Sequence, residues 1–120
     1  MTDQRRRLGQ AGERLAEQQL AGRGYQIVAR NWRYGRRGEL DLVAQDGDCL
    51  VIVEVRTRRG RRFGTAEESV TPRKQAQLHS LAEAYCAEAN WDGPVRIDVV
   101  AVSLSSQGDL VEINHIKDAV

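Results

Sequence analysis

Apolar positions recur at helical spacing over residues 8–23, where Leu8, Ala11, Gly12, Leu15, Ala16, Gln19 and Leu20 fall on one stripe. Gly9 and Gly12 lower the helix propensity of that stretch, which predicts a close backbone approach to something else. Gly22-Arg23-Gly24 ends the helix, and residues 25–33 read as a strand, the edge partner of a hairpin. Tyr34 to Gly38 is a turn, after which two arms rich in Val, Ile and Leu, 37–44 and 49–58, read as that hairpin. A capping Thr71 followed by Pro72 opens a second helix, with Leu78, Leu81, Ala82, Tyr85, Cys86 and Ala89 as its buried stripe. Extended backwards, that stripe reaches Lys74 and Gln75, whereas His79 lies one step off it. Residues 95–102 form a near-continuous apolar run, as a covered central strand requires. A turn at Ser105–Asp109 leads to a more alternating last strand, 110–116. This order of helix, three strands, helix and two strands predicts an α/β sandwich around one mixed five-stranded sheet.

Acids interrupt the two arms of the hairpin. Glu39, Asp41 and Glu54 stand among residues that a strand built only for packing would keep apolar. If Asp46-Gly47 is a two-residue turn, the strongest short hairpin signal, Gln45 faces Asp48. Glu39 then sits opposite Glu54, and Asp41 opposite Ile52 and diagonal to Glu54. Side chains alternate with period two, so Glu39, Asp41, Glu54 and Arg56 share one face. A three-residue turn would put Asp41 and Glu54 on opposite faces.

The bulk properties narrow the class. A chain of 120 residues with 41% hydrophobic and 29% charged residues is expected to be one soluble domain spanning 1–120, with residues 1–7 a flexible basic N-terminus. No apolar run has the length of a membrane span, and the first residues lack a signal-peptide apolar segment, so a cytoplasmic location is expected. Cys49 and Cys86 are expected to be reduced thiols, and the separated His79 and His115 give no zinc pattern. Net charge is only +1, but residues 1–75 carry 16 Lys and Arg against 10 Asp and Glu, while residues 76–120 carry 2 against 7. That asymmetry suggests an anionic partner on one side, nucleic acid above all. Arg59, Arg61 and Arg62 stand in a loop with Gly60 and Gly64 and suit phosphate contact, with Phe63 anchoring the loop to the core.

An Asp followed by a spaced Glu-x-basic unit suits phosphodiester hydrolysis. Carboxylates hold Mg²⁺, which takes oxygen ligands, lowers the pKa of a bound water and neutralises charge on the reacting phosphorus. A cation two residues beyond Glu54 lies on the same strand face and can stabilise the transition state. The carbonyl of Val55, between them, is a natural extra ligand. By periodicity alone Glu13 is an ordinary boundary glutamate.

Asp41 and Glu54-Val55-Arg56 resemble the motif of the PD-(D/E)xK nuclease superfamily. More closely, the chain resembles the YraN-like family of predicted endonucleases, related to archaeal Holliday-junction resolvases. The residues carrying this are Gly12-Glu13, Arg30-Asn31-Trp32-Arg33, Gly38 to Leu42, Val53 to Arg58, Arg62-Phe63-Gly64, Lys74 after Thr71-Pro72, Asp98 to Val102 and His115 to Ala119. The resemblance implies a restriction-endonuclease-like αβββαββ fold, with Glu13, Asp41 and Glu54 around Mg²⁺ or Mn²⁺. It further implies Arg56 and Lys74 as catalytic cations, DNA (branched DNA in particular) as partner, and a homodimer. Arg36, Arg37, Arg58, Arg59, Arg61 and Arg62 would hold flanking backbone. Arg56 stands where the motif has lysine. Arginine holds a phosphate but does not deprotonate, so it cannot serve as general base. Water activation then falls to the metal, to the phosphate itself or to Lys74. The alternative function is a catalytically inactive nucleic-acid-binding module on the same fold. A purely structural domain would leave the acids on one strand face without a purpose.

Overall fold

In a computed structural model, which describes residues 3–60 and 70–120, the elements follow one another in the predicted order. They are α1 (Asp3–Gly22), β1 (Gln26–Arg33), β2 (Glu39–Asp46), β3 (Cys49–Arg59), α2 (Pro72–Ala89), β4 (Val95–Leu104) and β5 (Leu110–Ile116). The strands form one sheet in the order β1-β2-β3-β4-β5. The β3–β4 pair is parallel and the others are antiparallel, so the sheet is mixed, in the αβββαββ arrangement of restriction-endonuclease-like folds. A parallel pair needs a long crossover, and α2 supplies it.

Strand alternation sends neighbouring side chains to two separate cores. Leu42, Ala44, Val51, Val53, Val100 and Val102 pack with Ala16 and Leu20 of α1. Val43, Leu50, Ile52, Ile97 and Val99 pack with Leu78 and Leu81 of α2. Burial of each such Val, Leu or Ile side chain stabilises the fold by roughly 1.5–3 kcal/mol before entropy is counted. Thr71 caps α2 as expected, accepting a hydrogen bond from the Lys74 N–H at 3.2 Å, and a left-handed Asn90 closes it. Helix α1 begins earlier than its apolar periodicity predicts. Asp3 to Arg7 are exposed and helical, an added turn on the α1 stem.

The hairpin register corrects the sequence expectation. Asp46 pairs with Cys49, so the two-residue turn is Gly47-Asp48, not Asp46-Gly47. Gly47 takes φ +61° as the first turn residue, which glycine does without strain; a turn at Asp46-Gly47 would ask an aspartate to do so. Ile52 consequently faces Val43 rather than Asp41, and Glu39 does not face Glu54. The slip is by an even number of positions, so Asp41 and Glu54 still fall on a common face.

Candidate functional site

Strands β2 and β3 pair only as far as Leu42 with Val53. Beyond that rung β2 stays with β1, through Trp32–Leu40 and Arg33–Glu39, while β3 stays with β4 out to Arg59–Leu104. The sheet therefore forks, with Asp41 on one arm and Glu54 on the other. The Val55 N–H, which has lost its ladder acceptor at the fork, donates to Asp41 Oδ2 at 2.9 Å. In an extended strand the N–H and C=O of one residue point to the same side, so the Val55 carbonyl also faces the fork.

Glu54 is 4% exposed, and an anion so buried needs cations. Arg56 Nη2 lies 3.1 Å and Lys74 Nζ 3.8 Å from Glu54 Oε2, so α2 delivers its inner lysine to the site. Burial, together with the charge of Glu54 and a carboxyl–carboxyl hydrogen bond to it, raises Asp41 to about 7 against the pull of the Val55 N–H and Lys74. Arg56 Nε is buried without an acceptor among the described residues.

Glu13 arrives from α1. Gly12 makes that possible: a Cβ there would lie 1.8 Å from Thr57 Oγ1 on β3, so the predicted close approach is real at Gly12. At Gly9 a Cβ would meet nothing. Asn31 Nδ2 donates to Glu13 Oε1 at 3.0 Å. Burial raises the Glu13 carboxyl, Asn31 opposes that, and Asp41 and Glu39 reinforce it. Asn31 itself is left-handed, φ +48°, and this breaks strand alternation. Consecutive Arg30 and Asn31 both reach α1, Arg30 holding Glu17 with two bonds of 2.7 and 2.8 Å. Trp32 then turns to α2, donating to Glu88 at 2.8 Å. Opposite this kink Leu40 joins the α2 core while Leu42 joins the α1 core, leaving Asp41 at the crossing point. Nothing in the hydropathy pattern marks Asn31; the available signal was an asparagine, the residue that best tolerates φ > 0 after glycine, inside a strand.

An open cavity of about 630 Å³ covers the fork, lined by Arg5, Leu8, Gly9, Glu13, Asp41, Glu54 and Val55 to Arg58. Arg5 was not among the predicted residues. Of the expected phosphate-holding arginines, Arg58 lines this cavity, Arg59 donates to the Ser106 carbonyl at 2.8 and 3.0 Å, and Arg36 and Arg37 are exposed on the β1–β2 turn. Arg61, Arg62 and Phe63 lie outside the described residues. Glu39 pairs with Arg33 at 3.2 Å. Among the described residues no three Asp, Glu, His or Cys side chains are gathered into a ready metal cage. The fork offers instead two carboxylates and a carbonyl, an all-oxygen set that fits a hard cation retaining several waters.

A family profile described as Uncharacterised protein family UPF0102 matches residues 12–102. The chain belongs to the UPF0102 family. The UPF0102 protein of Roseiflexus castenholzii (strain DSM 13941 / HLO8) is 51% identical over 122 residues, covering 100% of this chain and 98% of that protein. The UPF0102 protein of Pelotomaculum thermopropionicum (strain DSM 13744 / JCM 10971 / SI) is 43% identical over 120 residues, covering 99% of each. The span matched to UPF0102 starts at Gly12 and takes in the fork, Lys74 and most of β4. No helix among the described residues of this UPF0102 chain is long and apolar enough to cross a membrane.

Proposed function

We propose that this UPF0102 chain is a metal-dependent endonuclease that hydrolyses DNA phosphodiesters. One observation carries the reading: two carboxylates stand together at the sheet fork, with the Asp41 carboxyl held near 7 and two cations on Glu54. Like-charged acids kept this close favour a cation between them. Asp41, Glu54 and the Val55 carbonyl would hold Mg²⁺ or Mn²⁺, with Glu13 reaching it through water. When bound, the ion supplies an activated water and charge neutralisation at phosphorus. Arg56 lines the cavity and would hold a phosphate oxygen through its guanidinium, and Lys74 would stabilise the same developing charge from α2. Arg5 and Arg58 at the cavity wall suit the flanking backbone. Resemblance to junction resolvases adds branched DNA as substrate, a symmetric pair of chains to cut both strands, and work in the cytoplasm.

The decisive experiment incubates the protein with junction, flap and single-stranded DNA in Mg²⁺ or Mn²⁺. Cutting is expected, and Asp41→Ala or Glu54→Ala should abolish it while leaving salt-sensitive DNA binding. Cleavage unchanged in both variants would falsify the assignment. Arg56 in the lysine position favours a second reading, a binding module without catalysis, and wild-type binding without any metal-dependent cutting would select it.

A further inference from the structure

Beside the fork, the β1–β2 turn carries an aromatic stack that the hydrolytic chemistry does not use. Trp32 and Tyr34 lie nearly parallel, 12° apart, with ring centroids at 5.6 Å. Trp32 is fixed from behind, donating through Nε1 to Glu88 at 2.8 Å and meeting Tyr85 edge-on at 5.3 Å. Tyr34 stays 40% exposed, and its backbone N–H donates to the Gly38 carbonyl at 3.0 Å, so the turn presents the ring on a closed, supported base. The Arg37 guanidinium lies over the face of the Tyr34 ring, 5.6 Å from its centroid. Arg33 is neutralised by Glu39, but among the described residues no carboxylate pairs with Arg36 or Arg37. A rigid aromatic platform with uncompensated arginines beside it is the composition that stacks unpaired bases and holds their phosphates.

The platform connects to the site through single contacts. Gln77 Nε2 donates to the Arg37 carbonyl at 2.9 Å, and Gln77 stands one helical turn beyond Lys74, which reaches Glu54. Gly38 enforces this fit, since a Cβ there would lie 2.5 Å from Gln77 Nε2.

We infer that the Trp32–Tyr34 stack is a docking site for an unpaired nucleobase, with Arg36 and Arg37 on the adjoining phosphates. The inference rests on the DNA-cleaving reading and deepens it: the preferred substrate carries an unpaired segment next to the bond that is cut.

The test is equilibrium binding in EDTA, so that no turnover occurs, using a blunt duplex and the same duplex with a single-stranded tail. The protein carries Trp91→Phe, leaving Trp32 as its one tryptophan. The tailed duplex is expected to bind more tightly and to change Trp32 emission. Tyr34→Leu should weaken tailed binding roughly 5- to 100-fold and leave blunt-duplex affinity alone, whereas Tyr34→Phe retains the preference. Equal affinity for the two duplexes, or unchanged Trp32 emission on adding the tailed one, overturns the inference, and neither readout depends on the Tyr34 variants folding. Equal binding removes the platform alone; absence of binding to either DNA removes the nuclease reading with it.

Discussion

With its carboxyl raised to about 7, Asp41 is only partly ionised near neutral pH, because burial and the Glu54 charge both oppose its ionisation. In the unfolded chain the same group titrates near 3.8. Between those values the native state keeps a proton that the unfolded chain has released, so this group lowers stability as pH rises through the window. The loss is complete above about 7 and absent below about 4. Asp41→Asn keeps an acceptor for the Val55 N–H and removes the charge. It should therefore leave stability nearly unchanged at about pH 4 and raise it at about pH 8 by roughly 2–4 kcal/mol. Urea unfolding at both pH values measures this, and an equal change at the two would contradict the assigned environment of Asp41. Added Mg²⁺ should stabilise the unmutated protein at the higher pH, since a ligand bound only by the native state shifts unfolding, and should do little for the variant.

Between elements, the contact that fixes the site is Gly12 of α1 on Thr57 of β3. An added methyl would lie 1.8 Å from Thr57 Oγ1 and 2.9 Å from its Cβ, so rotating the threonine does not make room. Gly12→Ala should cost roughly 1–3 kcal/mol despite alanine's better helix propensity. Combining it with Thr57→Ala should restore part of that loss in thermal melts; additive losses would show that α1 does not dock through this contact. The glycine itself was readable, as a residue out of place in an amphipathic helix. So was the Thr71-Pro72 start of α2, because capping is local chemistry. Hairpin register was harder: a two-residue loop can place Gly47 first or second, and pattern alone does not choose. The shared face of Asp41 and Glu54 survived because the error was even. The fork was hidden altogether. It depends on Asn31 leaving β geometry and on how far β2 follows β1, and both are settled by packing against two helices rather than by residue type along the strand.

At the scale of the whole molecule, a buried polar network braces the sheet beside the fork. Asp98 is 0% exposed and registers with Val53, the last rung before β2 and β3 separate. Its oxygens accept from Arg96 Nε at 3.0 Å and the Asp118 N–H at 2.9 Å, and Oδ2 lies 2.7 Å from His115 Nε2. Arg96 reaches on to Asp46 at 3.3 Å and to the Tyr25 hydroxyl. Burial disfavours the Arg96 charge, yet the bonds and charge of Asp98 outweigh it and raise its pKa. Asp98 thus ties β4 to β5 and to the segment after it, and Arg96 extends the tie to the end of β2 and to Tyr25 just before β1. Removing one partner of such a set leaves the others buried and uncompensated, which costs far more than the net worth of any pair. Asp98→Ala should lower unfolding free energy by roughly 3–5 kcal/mol. Since the network contains none of the residues proposed to hold the metal or the phosphate, a folded fraction of the variant should keep the proposed DNA-cutting activity at low temperature. It should lose activity in step with unfolding as temperature rises. A loss below roughly 1 kcal/mol would mean that water replaces the carboxylate readily. Activity abolished in fully folded protein would instead make Asp98 part of the reaction.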